Sequence, residues 1–450
     1  MKISPHRFLY HEVLVVCSLL AVACGLETKP VAVNSGSVSA EPGVAGTPVD
    51  STQPAASGPT IVEAKTPAPK ATTETQSPVA DAPRPLTDDE LTAGWISLFD
   101  GKTLFGWQPR TDANWRVEAG SIVVDDGAKG LLTTTTRFAD YVLKIEFRSA
   151  PGTNSGIFLH TAGTPKDPAS DCYELNIADS TNAFSTGSLV KRAKAKGNFE
   201  SQGWQSYEVT VAGDQIVVVL DGQQVLEYKD PKSLQSGLIG LQLNEGKVEF
   251  RNIKLRPTRL NDAFNGKDMT GWTEYPEMAS KFTVSSEGTL DVRDGKGQLE
   301  TKQLYGNFIL QLQCMTKAKH LNSGIFFRCI PGEVMMGYEC QIQNGFKNGD
   351  RRQPMDCGTG GIFRRQDARL VVADDLTWFH QTLIADGSHI VAWVNGYQVS
   401  DWVDERKPHE NPRQGLRLEP GTIMIQGHDP TTDISFRGIK IAELPRAAQP

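Results

Sequence analysis

The stretch Leu321-Asn322-Ser323-Gly324-Ile325-Phe326-Phe327-Arg328, followed by Gly337-Tyr338-Glu339-Cys340-Gln341-Ile342 and then Gly358-Thr359-Gly360-Gly361-Ile362-Phe363-Arg364-Arg365, decides how the chain is read. The same three blocks stand upstream in the same order. They read Thr153-Asn154-Ser155-Gly156-Ile157-Phe158-Leu159-His160, then Tyr173-Glu174-Leu175-Asn176-Ile177, then Ser185-Thr186-Gly187-Ser188-Leu189-Val190-Lys191-Arg192. Trp107 and Tyr173 recur as Trp272 and Tyr338 at one common offset. A period this long marks duplicated domains rather than a solenoid.

Working outward, the runs between these blocks are short and alternate. In Leu143-Lys144-Ile145-Glu146-Phe147-Arg148 every second residue is apolar, the period of a half-buried strand. Phe308, Leu310, Leu312 and Cys314 repeat it. Asp221-Gly222 and Asn395-Gly396 lie between β-rich runs and predict hairpins. No segment carries a long apolar stripe of helical period. The fold class expected is all-β, two tandem sandwiches at residues 91–257 and 258–446.

The flanks read differently. Lys2, His6 and Arg7 precede a short apolar core from Val13 to Ala23, the pattern of an export signal over residues 1–24. Leu20-Ala21-Val22-Ala23-Cys24 matches a lipoprotein signal with Cys24 as the lipidated residue, although Ala21 stands where leucine is usual; plain cleavage after Ala23 competes. Lipidation would anchor the chain at a membrane without a spanning helix. The expected location is the periplasm or cell envelope. Residues 25–90 are rich in Pro, Ala, Thr and Ser and predict a disordered tether. The net charge of −7 over 450 residues argues against a nucleic-acid partner. Cys314, Cys329, Cys340 and Cys357 cluster in the second repeat without CxxC spacing. Two disulfides or buried free thiols both fit.

Strand parity sorts the candidate site. Tyr338, Cys340 and Ile342 alternate with Glu339 and Gln341, and Ile423 and Ile425 alternate with Gln426 and His428. Glu339, Gln341, Arg328, Gln426 and His428 are then expected on one open sheet face, if these strands share a sheet. Such a face suits a sugar, which takes hydrogen bonds from amides, carboxylates and guanidinium groups, with Trp378 or Trp393 as a stacking plane. A carboxylate beside an arginine and a histidine also suits proton transfer. A solvated outer face with ordinary ion pairs fits the same pattern. His428-Asp429 is weak as a metal pair, and structural hydrogen bonding is favoured there. The chain has no GxSxG elbow, HExxH or dinucleotide-binding glycine pattern.

These blocks resemble the 3-keto-disaccharide hydrolase domain family. The resemblance rests on Phe99 to Trp107 and Phe264 to Trp272, on Asn154 to Phe158 and Asn322 to Phe326, on the Tyr-Glu pairs, on Thr186-Gly187 and Thr359-Gly360, and on Gln426-Gly427-His428-Asp429. It implies a concanavalin A-like jelly roll and cleavage of glycosides whose sugar carries a ketone at carbon 3. For that chemistry, strand parity and residue type cast Glu339 as general acid/base, Arg328 or Arg364 as stabiliser of the enolate or ketone, and His428 as a second acid/base or metal ligand. Gln341, Gln426, Trp378, Asp429 and Glu174 would bind substrate. No cofactor is required, though a divalent metal on the ketone would stabilise the same charge. The first repeat departs from the pattern: His160 replaces Arg328, Asn176 replaces Gln341, and Leu243-Asn244-Glu245 replaces Gly427-His428-Asp429. It keeps Glu174, Gln242, Arg192 and Trp204. The second repeat is therefore expected to carry the activity. A glycan-binding protein without turnover is the alternative.

Overall fold

The computed structural model describes residues 82–197, 199 and 203–445. The expected signal, Cys24 and nearly all of the tether lie outside them. Two β-sandwiches follow one another, and both belong to one compact unit.

In the first sandwich a five-stranded sheet runs in the order Trp107–Pro109, Gly130–Thr134, Leu238–Leu243, Asn154–Thr161, Tyr173–Ala178. It faces an eight-stranded sheet centred on Tyr141–Ser149 and Val248–Pro257. The second sandwich repeats the order with Trp272–Glu274, Gly297–Thr301, Thr422–Gly427, Ser323–Cys329 and Tyr338–Ile342, against a large sheet centred on Phe308–Thr316 and Asp433–Glu443. The pairings of both small sheets are antiparallel. The alternation expected for Leu143–Arg148 is met: Leu143, Ile145 and Phe147 are buried in the core while Lys144 is exposed. Asp221-Gly222 and Asn395-Gly396 form two-residue hairpin turns with positive φ at all four residues, the twist that joins right-handed strands. Trp107 and Trp272 do one job twice, donating from Nε1 to the carbonyls of Leu98 (2.5 Å) and Ala263 (2.9 Å).

The two small sheets carry a β-bulge at the same place, on His160 (φ 47°) and on Arg328 (φ 48°). The neighbouring strand must pass close there. A Cβ on Gly237 or Gly421 would sit 2.2 or 2.3 Å from that backbone, so both are glycine.

The tether ends before its expected limit at residue 90. Thr87 and Glu90 form a reciprocal capping box that starts the helix Asp88–Thr92, and Leu86 is buried against Trp95 and Val142. Glu90 then pairs with Lys254 at 2.7 Å. The two sandwiches are joined by a shared apolar layer, in which Ile309, Ile384, Val391 and Trp393 of the second pack into the core of the first. Trp393 Nε1 donates to Ser97 O (3.0 Å), and Arg137 makes a two-pronged ion pair with Asp386. The five described cysteines are free and buried, so of the two expectations the unpaired thiols hold. Cys314 and Cys340 fill the second core as small apolar groups.

Candidate functional site

The outer face of the second small sheet carries the polar side chains. Strand registers set them in two rows. Glu300, Met424, Phe326 and Glu339 lie side by side across four strands; Gln298, Gln426, Gly324 and Gln341 form the next row. Glu339, Gln341 and Gln426 are thus where strand parity expects them.

Glu339 is buried to 6% exposure. Burial pushes its carboxyl up to about 7, helped by the negative charge of Asp356 and opposed by Arg413 and His428. Arg413 Nη2 reaches Glu339 Oε2 at 3.2 Å, Arg413 Nε donates to Met335 O, and the guanidinium lies 5.0 Å from the Phe326 ring. A Cβ on Gly324 would stand 2.8 Å from Glu339 Oε1, so the glycine makes room for the carboxylate. Gln341 Nε2 donates to Asn322 Oδ1 (2.9 Å) and to Asp356 Oδ2 (3.3 Å). His428 and Asp429 sit half-exposed past the end of strand Thr422–Gly427, Nδ1 to Oδ2 at 2.8 Å. Thr431 and His428 hold the Asp429 carboxyl below its usual range.

At the far end of the first row, Glu300 is fastened by the Tyr275 and Thr422 hydroxyls and by Gly332 N. Burial and the Glu300 contact push the Tyr275 phenol up to about 12. Glu300 and Glu339 stand three strand spacings apart, roughly 14 Å. That is too wide for both to work on one glycosidic bond, which needs about 5–9.5 Å between carboxylates. Three buried amide atoms in the second row have no hydrogen-bond partner among the described residues: Gln298 Nε2, Gln426 Oε1 and Gln341 Oε1. Unmet buried polar atoms of this kind are costly unless a ligand or water meets them. Over the middle of the face lies the loop 330–337. Met335 packs on Phe326 and Met424, takes the Gln426 amide on its sulfur (3.3 Å) and donates its backbone N–H to Gln298 Oε1 (2.9 Å).

Other expected members fall elsewhere. Arg328 is fully buried and off this face, because the bulge turns it aside. It donates to the carbonyls of Gly306, Gly387 and Arg417 and to Asn307 Oδ1. His160 does the same work in the first sandwich, bonding Leu234 O and Ala139 O. Arg364 is exposed, stacked on Phe363 at 5.1 Å, and makes no ion pair with Glu339. Trp378 lies beside the large sheet under Arg437 (4.0 Å), as Trp204 lies under Arg251 (3.8 Å). Trp393 is spent on the interface. Arg413 and Asp356, which the sequence reading missed, come from loops that are longer than their counterparts in the first repeat. Gln298 and Glu300 were legible in Gly297-Gln298-Leu299-Glu300-Thr301, where polar residues alternate on one face. Among the described residues no three His, Cys, Asp or Glu side chains converge as a metal site.

In the first sandwich the same face holds Glu174, buried and raised by burial, with Gln242 Nε2 on Oε1 at 3.1 Å. Here the face opens into a cleft of about 390 Å³.

The family described as the 3-keto-alpha-glucoside-1,2-lyase-like domain matches residues 94–256 and again 260–442. A curated 3-keto-disaccharide hydrolase of Bacteroides thetaiotaomicron is 36% identical over 87 residues, which are 16% of this chain and 30% of that relative, so the match spans less than a third of the relative's length. Among solved structures, a putative glycosyl hydrolase from Parabacteroides distasonis is 20% identical with a TM-score of 0.34, covering 38% of this chain and 97% of its own. The carbohydrate binding module CBM66 from Bacillus subtilis is 14% identical with a TM-score of 0.28, covering 34% and 95%. Two successive matches, each on a sandwich of the same strand order, place this chain in the 3-keto-α-glucoside-1,2-lyase-like domain family, as a tandem pair.

Proposed function

We propose that the protein is an exported enzyme that cleaves 3-keto-glycosides at the outer face of its second sandwich. Residues 1–24 support export, and Cys24 is the residue proposed to carry a lipid anchor. The observation that carries the catalytic reading is Glu339, a buried carboxylate poised near neutrality beside a guanidinium and unmet amides.

The chemistry follows from the ketone. A carbonyl at C3 acidifies the C2 proton. Ionised Glu339 takes that proton, and the electron pair forms the C2–C3 enolate. Arg413 stabilises the oxyanion, the role first given to Arg328 or Arg364. The enolate collapses, forming a C1–C2 double bond and expelling the C1 aglycone oxygen, which takes its proton from His428. Water then adds across that double bond, its hydroxyl to C1 and its proton to C2, giving the free 3-keto sugar. Gln298, Gln426, Gln341 and Asp429 hold hydroxyl groups. The sequence of steps uses no metal.

The test is product formation from 3-keto-disaccharides and their unoxidised parents, with and without chelator, by the wild-type chain and Glu339→Gln. Cleavage of the keto forms alone, lost in Glu339→Gln, is expected. Cleavage of the parents would replace the elimination with two-carboxylate hydrolysis. Loss of activity with chelator would add a metal that the steps above omit.

A further inference from the structure

The cleft of the first sandwich differs from the second site in three ways that bear on what it can hold. First, it is open. Gly240 stands where the second sandwich has Met424, and the loop Gly163–Pro168 lines the rim, whereas Met335 lies across the middle of the second site. Leu131 and Phe158 supply an apolar floor. Second, among the described residues Glu174 has no guanidinium partner. The segment Asp230–Leu238 is shorter than its counterpart 404–422, which delivers Arg413; the Gln242 amide is the hydrogen-bond partner of Glu174, and the Lys191 ammonium, whose charge reaches it, is paired with Asp167. A carboxylate without that cation lacks an oxyanion stabiliser beside it, which removes the means of turnover proposed for Glu339.

Third, the cleft is cationic. Arg110, Lys129 and Lys166 line it against the single carboxylate Glu174. Arg110 Nε donates to Thr133 Oγ1 (2.9 Å) and Lys129 Nζ to Asn244 Oδ1 (2.7 Å). Among the described residues none of the three forms a salt bridge. In a chain of net charge −7, Arg110 and Lys129, which have no carboxylate partner among the described residues, mark a place for a negative group, with Lys166 beside Asp171 at the rim. One acceptor in the lining, Gln242 Oε1, is buried without a partner among the described residues and asks for a hydroxyl donor.

We propose that this cleft is a second, non-hydrolytic carbohydrate site, selective for sugars that bear an anionic group. A hydroxyl meets the Gln242 oxygen, a ring face lies on Phe158 and Leu131, and the acid sits between Arg110 and Lys129. The proposal rests on the carbohydrate part of the reading above and not on turnover. The shared chemistry is an acidic sugar, either a uronate or a sulfate ester.

The experiment is calorimetric titration of the full chain carrying Glu339→Gln, so that no product forms, with cellobiouronic acid, cellobiose 6′-sulfate and cellobiose. One or both acidic sugars should bind about tenfold tighter than cellobiose, one well-placed charge pair's worth. Which of them binds tighter assigns the source of the acid. The preference should shrink with added salt and vanish in Arg110→Gln/Lys129→Gln, with an unchanged melting temperature proving the fold. Equal binding of all three sugars, no binding of either acidic one, or a preference that survives the double substitution overturns the proposal. Because binding is read in a turnover-silent variant, failure of the cleavage reaction leaves this result separately interpretable.

Discussion

Glu339 carries opposite consequences for stability and for chemistry. Its folded-state pKa, about 7, lies above the ordinary value of 4.5. The folded chain therefore binds this proton more tightly than the unfolded chain does. The stability it contributes is complete below pH 4.5 and is lost as the pH rises through 7, by about 3 kcal/mol in full. Glu339→Gln is expected to abolish turnover yet raise stability at pH 8 by about 1–3 kcal/mol, read by urea unfolding at pH 5 and pH 8. The wild type should show kcat/KM rising with pH through about 7, as the base ionises. Arg328 has the reverse profile. It satisfies three carbonyls and an amide oxygen from full burial. Arg328→Ala should cost about 3 kcal/mol or more in unfolding experiments, whereas a variant that folds normally but loses only catalysis would restore Arg328 to the site. At this scale the sequence was half legible. Alternation placed Glu339, Gln341 and Gln426 on one face. It failed at Arg328, because one extra residue in a strand reverses the count, and a positive φ at arginine leaves no mark in the sequence.

The elements that distinguish the two copies are loops. Counting repeats finds what the copies share, and so passes over Arg413 and Asp356, which only the second copy has. The loop 330–337 is the element with the most to say about the reaction, since Met335 lies where a sugar ring would meet Phe326 and Met424. Binding must lift it. Met335→Ala is therefore expected to lower KM for a 3-keto-disaccharide by a factor of a few with little change in kcat; an unchanged or higher KM would make Met335 part of the floor. The strand Ser323–Cys329 makes the complementary demand. Gly324→Ala would press on the Glu339 carboxylate from 2.8 Å and should cut kcat more than it harms folding, checked by kinetics beside a melting curve.

For the molecule as a whole, the duplicated sandwich was written plainly in the sequence, but the joint between the copies was not. Its one hint was Phe308-Ile309-Leu310, apolar on both faces of a strand whose outer side alternation alone would assign to water. Ile309 and Ile384 are covered by the first sandwich, and Arg137 and Asp386 pair at the joint with 15% and 12% side-chain exposure. Breaking such a pair leaves a charge unmatched and costs about 3–5 kcal/mol. The wild type should melt in one calorimetric transition, and Arg137→Ala should separate it into two; a single transition in both would locate the coupling in the apolar layer instead.

The free cysteines give the folded chain a built-in clock. Burial pushes the Cys172 and Cys340 thiols up to about 12 and Cys314, Cys329 and Cys357 also upward, so none offers a thiolate to a reagent while the structure is closed. With Cys17 and Cys24 replaced, each labelling event marks an opening of the structure around it. Cys172 reports for the first sandwich and the other four for the second, so mass spectrometry of a timed alkylation would tell which half of the duplicated molecule opens first.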